Sequence, residues 1–303
     1  MTVGKNTLPI RVIAEDGSEK IYNVNVTRKG GVTSLKNEIM KNTVVTANPT
    51  LTTSSNNTSD ESGLYKSTDT NTGKPTYYFR GNVENNYVSF AGFTWRIVRI
   101  NEDGTIRIVM QDGINSNANI AFNSNYNNYT YMYYTNSQAK TQLESWYQTN
   151  IGSKADLAKN VASGAYYCEQ AKAKYNDSMT SGSATMTTYN EYTPDFKCAT
   201  DGNGKGVVNA SVGLLTYDEV VFAGGYYNQN NSNYYLNNPT IYWWTMSPAG
   251  FSGSYSYVWA VLTAGFIGNG GVDSATRLRP VLILNADTLV TGDGTSSDPF
   301  VVS

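Results

Sequence analysis

The chain contains no histidine. That removes the commonest general base and metal ligand, and with it any Ser-His-Asp triad or His-bearing zinc site. Carboxylate chemistry remains open in principle, because two acids flanking a bond can hydrolyse a glycoside. The 24 acidic residues are sparse for a chain of 303, and they fall mostly in turns, tails and one helix start. Thr216-Tyr217-Asp218-Glu219 is that helix start. It has the form of a capping box, in which the Thr hydroxyl and the Glu carboxylate satisfy each other's orphan amides. A structural duty of this kind accounts for both acids, so neither is assigned a catalytic role. Asp201-Gly-Asn203-Gly-Lys205-Gly206 begins like a calcium loop. Lys205 and Val212, however, stand where an oxygen donor and a bidentate Glu are required, so it reads as a plain turn. No Gly-rich phosphate loop follows a strand and opens a helix. Cys168 and Cys198 are the only cysteines. With no CxxC spacing they suggest a disulfide rather than a metal site, although two separate buried thiols are the alternative. A bridge across 30 residues would contribute roughly 3–4 kcal/mol and imply an oxidising compartment.

Binding chemistry is what survives. Residues 249–276, AGFSGSYSYVWAVLTAGFIGNGGVDSAT, contain no Lys, Arg, Glu, Gln, Met, Pro or Cys, and Asp273 is their only charge. Two buried strands would explain Val258, Val261 and Trp259, but not so many Gly, Ser, Ala and Thr. The whole chain shares this character. Its charged fraction is 15%, against roughly 25% in typical soluble proteins, and it holds 24 Tyr and 27 Gly. A net charge of -2 gives no support to nucleic-acid binding or to attraction by an anionic membrane. No stretch approaches the ~20 apolar residues of a membrane span, and no basic-then-apolar leader opens the chain. An exported protein of this kind would carry its signal and anchor elsewhere.

The elements that must position this segment can be read in order. Residues 1–28 give two strands around Asp16-Gly17, with Leu8, Ile10, Val12 and Ile13 before the turn and Tyr22, Val24 and Val26 alternating after it. A lone hairpin is marginal in water, so these strands are expected to close a β-sandwich, either cut from a larger protein or completed by packing on the next domain. Residues 29–63 hold a short helix near Ser34–Met40 and then, over 43–63, a Thr/Ser/Asn-rich linker or an extended arm laid over the next domain. The main domain is expected over 64–303. Its clearest hairpin is Phe93–Ile100 and Thr105–Met110 around Asn101-Glu102-Asp103-Gly104, with Arg96, Arg99 and Arg107 as solvated positions. One helix is expected from about Ser137, burying Ala139, Leu143, Trp146 and Tyr147, and a second from Lys154 towards Cys168. The Thr216 cap opens a third, ended by Gly224-Gly225. IYWWTMSP (241–248), SYVWAVLT (256–263) and RLRPVLIL (277–284) read as successive strands. Strand alternation puts Tyr257 on the same face as Trp259, which is expected to be a core anchor.

Two resemblances follow from these motifs. The AEDGS turn and the final Tyr-x-Val-x-Val-x-Arg strand of residues 1–28 resemble the end of the cadherin-like, immunoglobulin-like β-sandwich repeats of bacterial surface proteins. The order WTMSP, Trp259 strand, RLRPV resembles the closing region of C-type-lectin-fold domains, the fold shared with formylglycine-generating-enzyme relatives. More specifically it resembles the variable proteins of bacterial and phage diversity-generating retroelements. The family commonly ends Gly-Val-Arg-Pro or Gly-Phe-Arg, whereas this chain has Arg277-Leu278-Arg279-Pro280. The resemblance implies an α+β, C-type-lectin-like (formylglycine-generating-enzyme-like) domain with short helices, preceded by a partial β-sandwich hairpin. It also implies adenine-directed rewriting of codons. An AAY codon rewritten at its adenines never yields Lys, Glu, Gln, Met or Trp, and of these only Trp occurs in 249–276, once, at position 259.

On this resemblance the segment is a non-catalytic, diversified binding face needing no cofactor. Phe251, Tyr255, Tyr257, Phe266 and Ile267 are the expected anchors. Ala249, Gly250, Ser254, Thr263, Ala264, Asn269, Asp273, Ser274 and Thr276 complete the expected contact set. Its physics is that of a paratope: aromatic residues give rigid contact area, and Ser, Gly and Asn give adaptable hydrogen bonds. The partner would be a protein or glycan on a cell or host surface, met outside the cell at a cell or virion surface by a monomeric chain. Two alternatives stand beside it. One is a structural subunit of a surface filament, such as a minor pilin or adhesin. The other is a lectin of fixed specificity, although the calcium-ligand motif such a lectin uses is not visible here.

Overall fold

A computed structural model describes residues 4–28, 31–49, 51, 61–169, 194–198, 206–252 and 254–303. The loop 201–205, read above as a turn, lies outside them, as do residues 52–60 of the expected linker. The described structure is α+β, dominated by strands with a few short helices.

The apolar β-branched runs behave as their composition requires. Phe93–Ile100 and Ile106–Met110 form the expected antiparallel hairpin, closed by Asn101 N–H donating to Thr105 O at 2.8 Å. Gly104 takes a φ of 90° there, which the turn needs and a Cβ resists. Phe93–Ile100 then becomes the spine of a ten-stranded sheet. Tyr87–Phe90 and Thr76–Arg80 pair with it, and Val281–Leu284 extends Ile106–Met110 on the other side. Phe300–Val302 and Leu289–Thr291 complete one flank, where Thr33–Ser34 pairs with Leu289–Val290. Gly63–Ser67 and Val44–Val45 complete the other flank. The helix Leu35–Ile39 buries both its ends in the core, and the strands on either side of it, Thr33–Ser34 and Val44–Val45, pair into the main sheet.

The helix Gln138–Tyr147 starts at a Ser137 cap and buries Ala139, Leu143, Trp146 and Tyr147, the four residues its periodicity indicates. Trp146 packs on the rings of Phe93 and Trp95. The second helix is shorter than expected, only Ala155–Ala158. Backbone pairing of Val161 with Leu284, and of Ala162 N–H with Ile283 O, draws the chain onto the sheet edge before helical bonds can continue.

The arginines are also corrected. Arg96 and Arg107 are buried and Arg99 nearly so. Each guanidinium finds its partners inside. Arg96 donates to Asn86 Oδ1 and Val83 O and lies over the Tyr87 ring. Arg99 and Arg107 share Glu219 Oε1 at 3.1 and 2.9 Å. Thr216–Glu219 is a capping box, and its Glu does a second job here. Burial alone would raise the Glu219 carboxyl, but Arg107, Arg99 and the Thr216 amide outweigh it and hold it below the usual 4.5. Cys168 and Cys198 are bonded, with Cα atoms 5.3 Å apart.

The hairpin Gly4–Ile13/Glu19–Arg28 forms as expected, turning at Gly17. Leu8 faces Val24 and Ile10 faces Tyr22 on one side, and all four are exposed. The other side carries the exposed Arg11–Glu19 ion pair.

Candidate binding face

Trp243–Ser252, Tyr255–Val261 and Ile267–Gly271 form a separate three-stranded antiparallel sheet. Two further segments, far away in sequence, are sewn onto it by backbone bonds. Ser256 N–H donates to Tyr126 O at 2.8 Å, and Asn123 N–H to Val272 O at 2.8 Å. Ile120–Ala121 pairs with Ala275–Thr276. From the other direction, Ile267 N–H donates to Tyr226 O at 2.7 Å, and Asn231 N–H to Ala264 O at 3.1 Å. Residues 113–137 and 224–248 contain no charged residue at all. The surface they build with 249–276 therefore carries one ionised group from these three segments, Asp273.

The middle strand explains how a face is held without being sealed. Tyr255, Tyr257 and Trp259 alternate onto one side. Trp259 is fully buried between the rings of Tyr217 and Tyr227. Tyr257 is half-buried against the core, and Tyr255 is further out, 5.3 Å from Tyr257 ring to ring. The Tyr126 ring, 42% exposed, stacks on Tyr255 at 4.4 Å with an interplanar angle of 19°. Tyr255 Oη donates to Asp273 Oδ1, and that bond lifts the phenol pKa to about 12. The ring row thus runs from core to solvent along one strand.

Glycines leave room for rings on both sides of the sheet, Gly271 on the side of this row and Gly270 on the other. A Cβ on Gly271 would lie 2.5 Å from the Tyr255 ring and 3.1 Å from Asp273 Oδ1. One on Gly270 would meet the Trp244 ring at 2.9 Å. Part of the small-residue composition of 249–276 therefore has a packing cause, since edge-strand glycines leave room for aromatic rings.

The expected contact set divides three ways. Ser254, Asn269, Asp273 and Ser274 are exposed, and Tyr255, Tyr257, Thr263, Ala264 and Phe266 are half-buried. Ala249, Gly250, Phe251, Ile267 and Thr276 are buried, which corrects their placement on an exposed face. Phe251 sits opposite Ser256, on the side of the sheet away from Tyr255 and Tyr257. Ile267 pairs with Val261 beneath the 226–231 segment, and Thr276 pairs with Ile120. The accessible members are also split by the sheet. Ser254, Tyr255, Asp273 and Ser274 gather at one end with Tyr126, while Thr263, Ala264 and Phe266 form the turn at the other. Six residue steps at about 3.3 Å put these ends roughly 20 Å apart. The 262–266 turn packs closely on the 226–231 segment: a Cβ on Gly265 would strike Asn231 O at 1.8 Å.

Tyr126 escapes a reading confined to 249–276. The signal for it was the same composition, uncharged and rich in Asn and Tyr, in the loop 123–134.

A second cluster, Arg99, Arg107, Glu219 and Tyr166, lies beside the disulfide and borders a small cavity. Its groups lock two strands to the Tyr217–Ala223 helix, and it contains no nucleophile paired with a base. Among the described residues, no three Cys, Asp or Glu side chains converge as a metal site would need. No helix among the described residues is long and apolar enough to cross a membrane. No protein-family model, no curated protein and no solved structure matches the chain.

Proposed function

We propose that the protein is a non-catalytic, ligand-binding protein displayed outside the cell, on a cell surface or virion. Its main domain is C-type-lectin-like, and its partner is read by the tyrosine end of the three-stranded sheet. The observation that carries this reading is the graded ring row. Trp259 is fixed in the core, Tyr257 is half-covered, and Tyr255 and Tyr126 are presented to solvent by backbone that their own side chains do not hold. Tyr, Ser and Asn side chains at such an end can be exchanged at little folding cost, which is what a diversified paratope needs. The disulfide agrees with an oxidising compartment. The hairpin fits the end of a β-sandwich, because its aliphatic face has the alternation of a strand pair packed inside such a module.

Sequencing the coding region in closely related isolates tests this reading. Replacements should concentrate at Ser254, Tyr255, Asn269, Asp273 and Ser274 and spare Val258, Trp259 and Val261. A near-copy of that stretch should lie beside a reverse-transcriptase gene. Even or silent variation along the segment, with no such copy, overturns it.

A further inference from the structure

We infer that the Tyr126–Tyr255–Tyr257 row and Asp273 form a recognition site for a basic side chain, an arginine presented by a protein partner. This rests on the reading of the face given above and names the chemistry that the face accepts.

Charge is the first ground. Residues 113–137 and 224–276 contribute one ionised group between them, Asp273. It is exposed and has no ion pair among the described residues. Among the described residues its one hydrogen bond is accepted by Oδ1 from the Tyr255 hydroxyl. Lysine and arginine side chains do neutralise acids elsewhere on the molecule, Glu19 by Arg11, Glu144 by Lys140 and Asp69 by Lys197, but none of those cations belongs to this surface. A single unneutralised carboxylate in an uncharged surface attracts a cation without competition from neighbours.

Shape is the second ground. A guanidinium is planar, lies over aromatic faces and donates in a fork to a carboxylate. The Tyr126 and Tyr255 rings are nearly parallel, and Tyr255 reaches Asp273 directly, so ring faces and carboxylate belong to one small patch. The patch is also built rather than incidental. Gly271 leaves the space for both the Tyr255 ring and the Asp273 carboxylate, and any Cβ there would displace them. A sugar would also stack on these rings. Its hydroxyls could bond the carboxylate but would leave its charge uncompensated, whereas a guanidinium supplies both the donors and the opposite charge.

The test titrates the whole chain with Nα-acetyl-arginine amide, with its neutral isostere Nα-acetyl-citrulline amide, and with methyl glycosides. NMR signals of the tyrosine rings provide the readout. Arginine should shift Tyr126, Tyr255 and Tyr257 saturably, and citrulline should bind roughly tenfold more weakly, the factor expected when a charge-assisted contact is lost. Asp273→Asn should bring arginine down to the citrulline level with its thermal midpoint unchanged. The Tyr255 phenol in that variant should ionise nearer 10 than 12. Gly271→Ala, which keeps the carboxylate's charge but displaces it and the Tyr255 ring, should weaken arginine binding. Equal binding of arginine and citrulline, or an unaffected Asp273→Asn, overturns the inference. Ring shifts with a glycoside and none with arginine also overturn it, yet leave the broader reading of a binding face standing. Silence from every probe overturns it as well. The fate of the broader reading is settled separately, by the variation among isolates.

Discussion

Two surfaces of this protein expose large side chains to water, and they do so with opposite chemistry. One side of the hairpin presents Leu8, Ile10, Val12 and Val24, a mostly aliphatic row with Tyr22 among it and Lys20 at its end, while the Arg11–Glu19 pair lies on the other side. The tyrosine end presents Tyr126, Tyr255 and Tyr257 among asparagines and serines, with one carboxylate. Aliphatic area gains only by leaving water, at about 25 cal/mol per Å². A cluster of that kind is therefore suited to permanent cover by another layer. Tyrosine keeps a hydroxyl for water while offering a ring to a partner, so such a face tolerates exposure and binds reversibly. The difference separates a surface made for assembly from one made for recognition.

The contrast holds only if the recognition face stands on a frame that does not depend on it. Trp259→Ala should lose about 3–5 kcal/mol, because it empties a site between two buried rings. In a chain of this size that is roughly ten degrees of melting temperature, readable by calorimetry. Tyr126→Ala losing as much would abolish the division between frame and face.

Glu219→Gln should cost a similar amount, about 3–5 kcal/mol in a urea titration, because it strands two buried guanidiniums. Its pH signature follows from its sign. The carboxyl is held below 4.5 in the folded protein. Its contribution is therefore complete above that value and fades as pH falls through the lower folded pKa. The wild type should lose stability steeply below pH 4.5, and the variant should show a flatter slope in the same window.

Cys168→Ser with Cys198→Ser should lower stability by roughly 3–4 kcal/mol through the freed 30-residue loop. The double variant should melt at the same temperature with or without reductant, whereas the parent should differ between the two. The smallest effects belong to the two exposed surfaces. Tyr126→Ala and Ile10→Asp should each move the melting temperature by less than about 2 °C, the range of surface substitutions. They should part company in solution: Ile10→Asp should lower light scattering at high concentration, and Tyr126→Ala should leave it unchanged. Equal behaviour would erase the distinction between an assembly surface and a recognition surface.

Much of the frame could be read from local pattern. Period-two alternation with a Gly-bearing turn marked both the 93–110 hairpin and the 4–28 hairpin. Period-3.6 spacing marked the buried side of Gln138–Tyr147. The capping box at Thr216 needed only four residues. The arginines were misread because a guanidinium on an apolar strand looks solvated until its partners are known. Those of Arg99 and Arg107 come from Glu219, more than a hundred residues away. Arg279, inside the RLRPV motif, is likewise fully buried, donating to Met110 O and Leu236 O. Phe251 was misplaced for a related reason: irregular pairing between Trp244 and Gly250 shifts the register, and one step moves a side chain to the opposite face.

By itself the sequence determined the strand-rich class, the helix caps, the pairable cysteines and an uncharged, tyrosine-rich surface, all consequences of local propensity and composition. The tertiary structure alone decided that three such segments meet, that Tyr126 stacks on Tyr255 beside the lone Asp273, and that Phe251 and Ile267 turn inward. These depend on strand register and on contacts between distant segments, which no local pattern encodes.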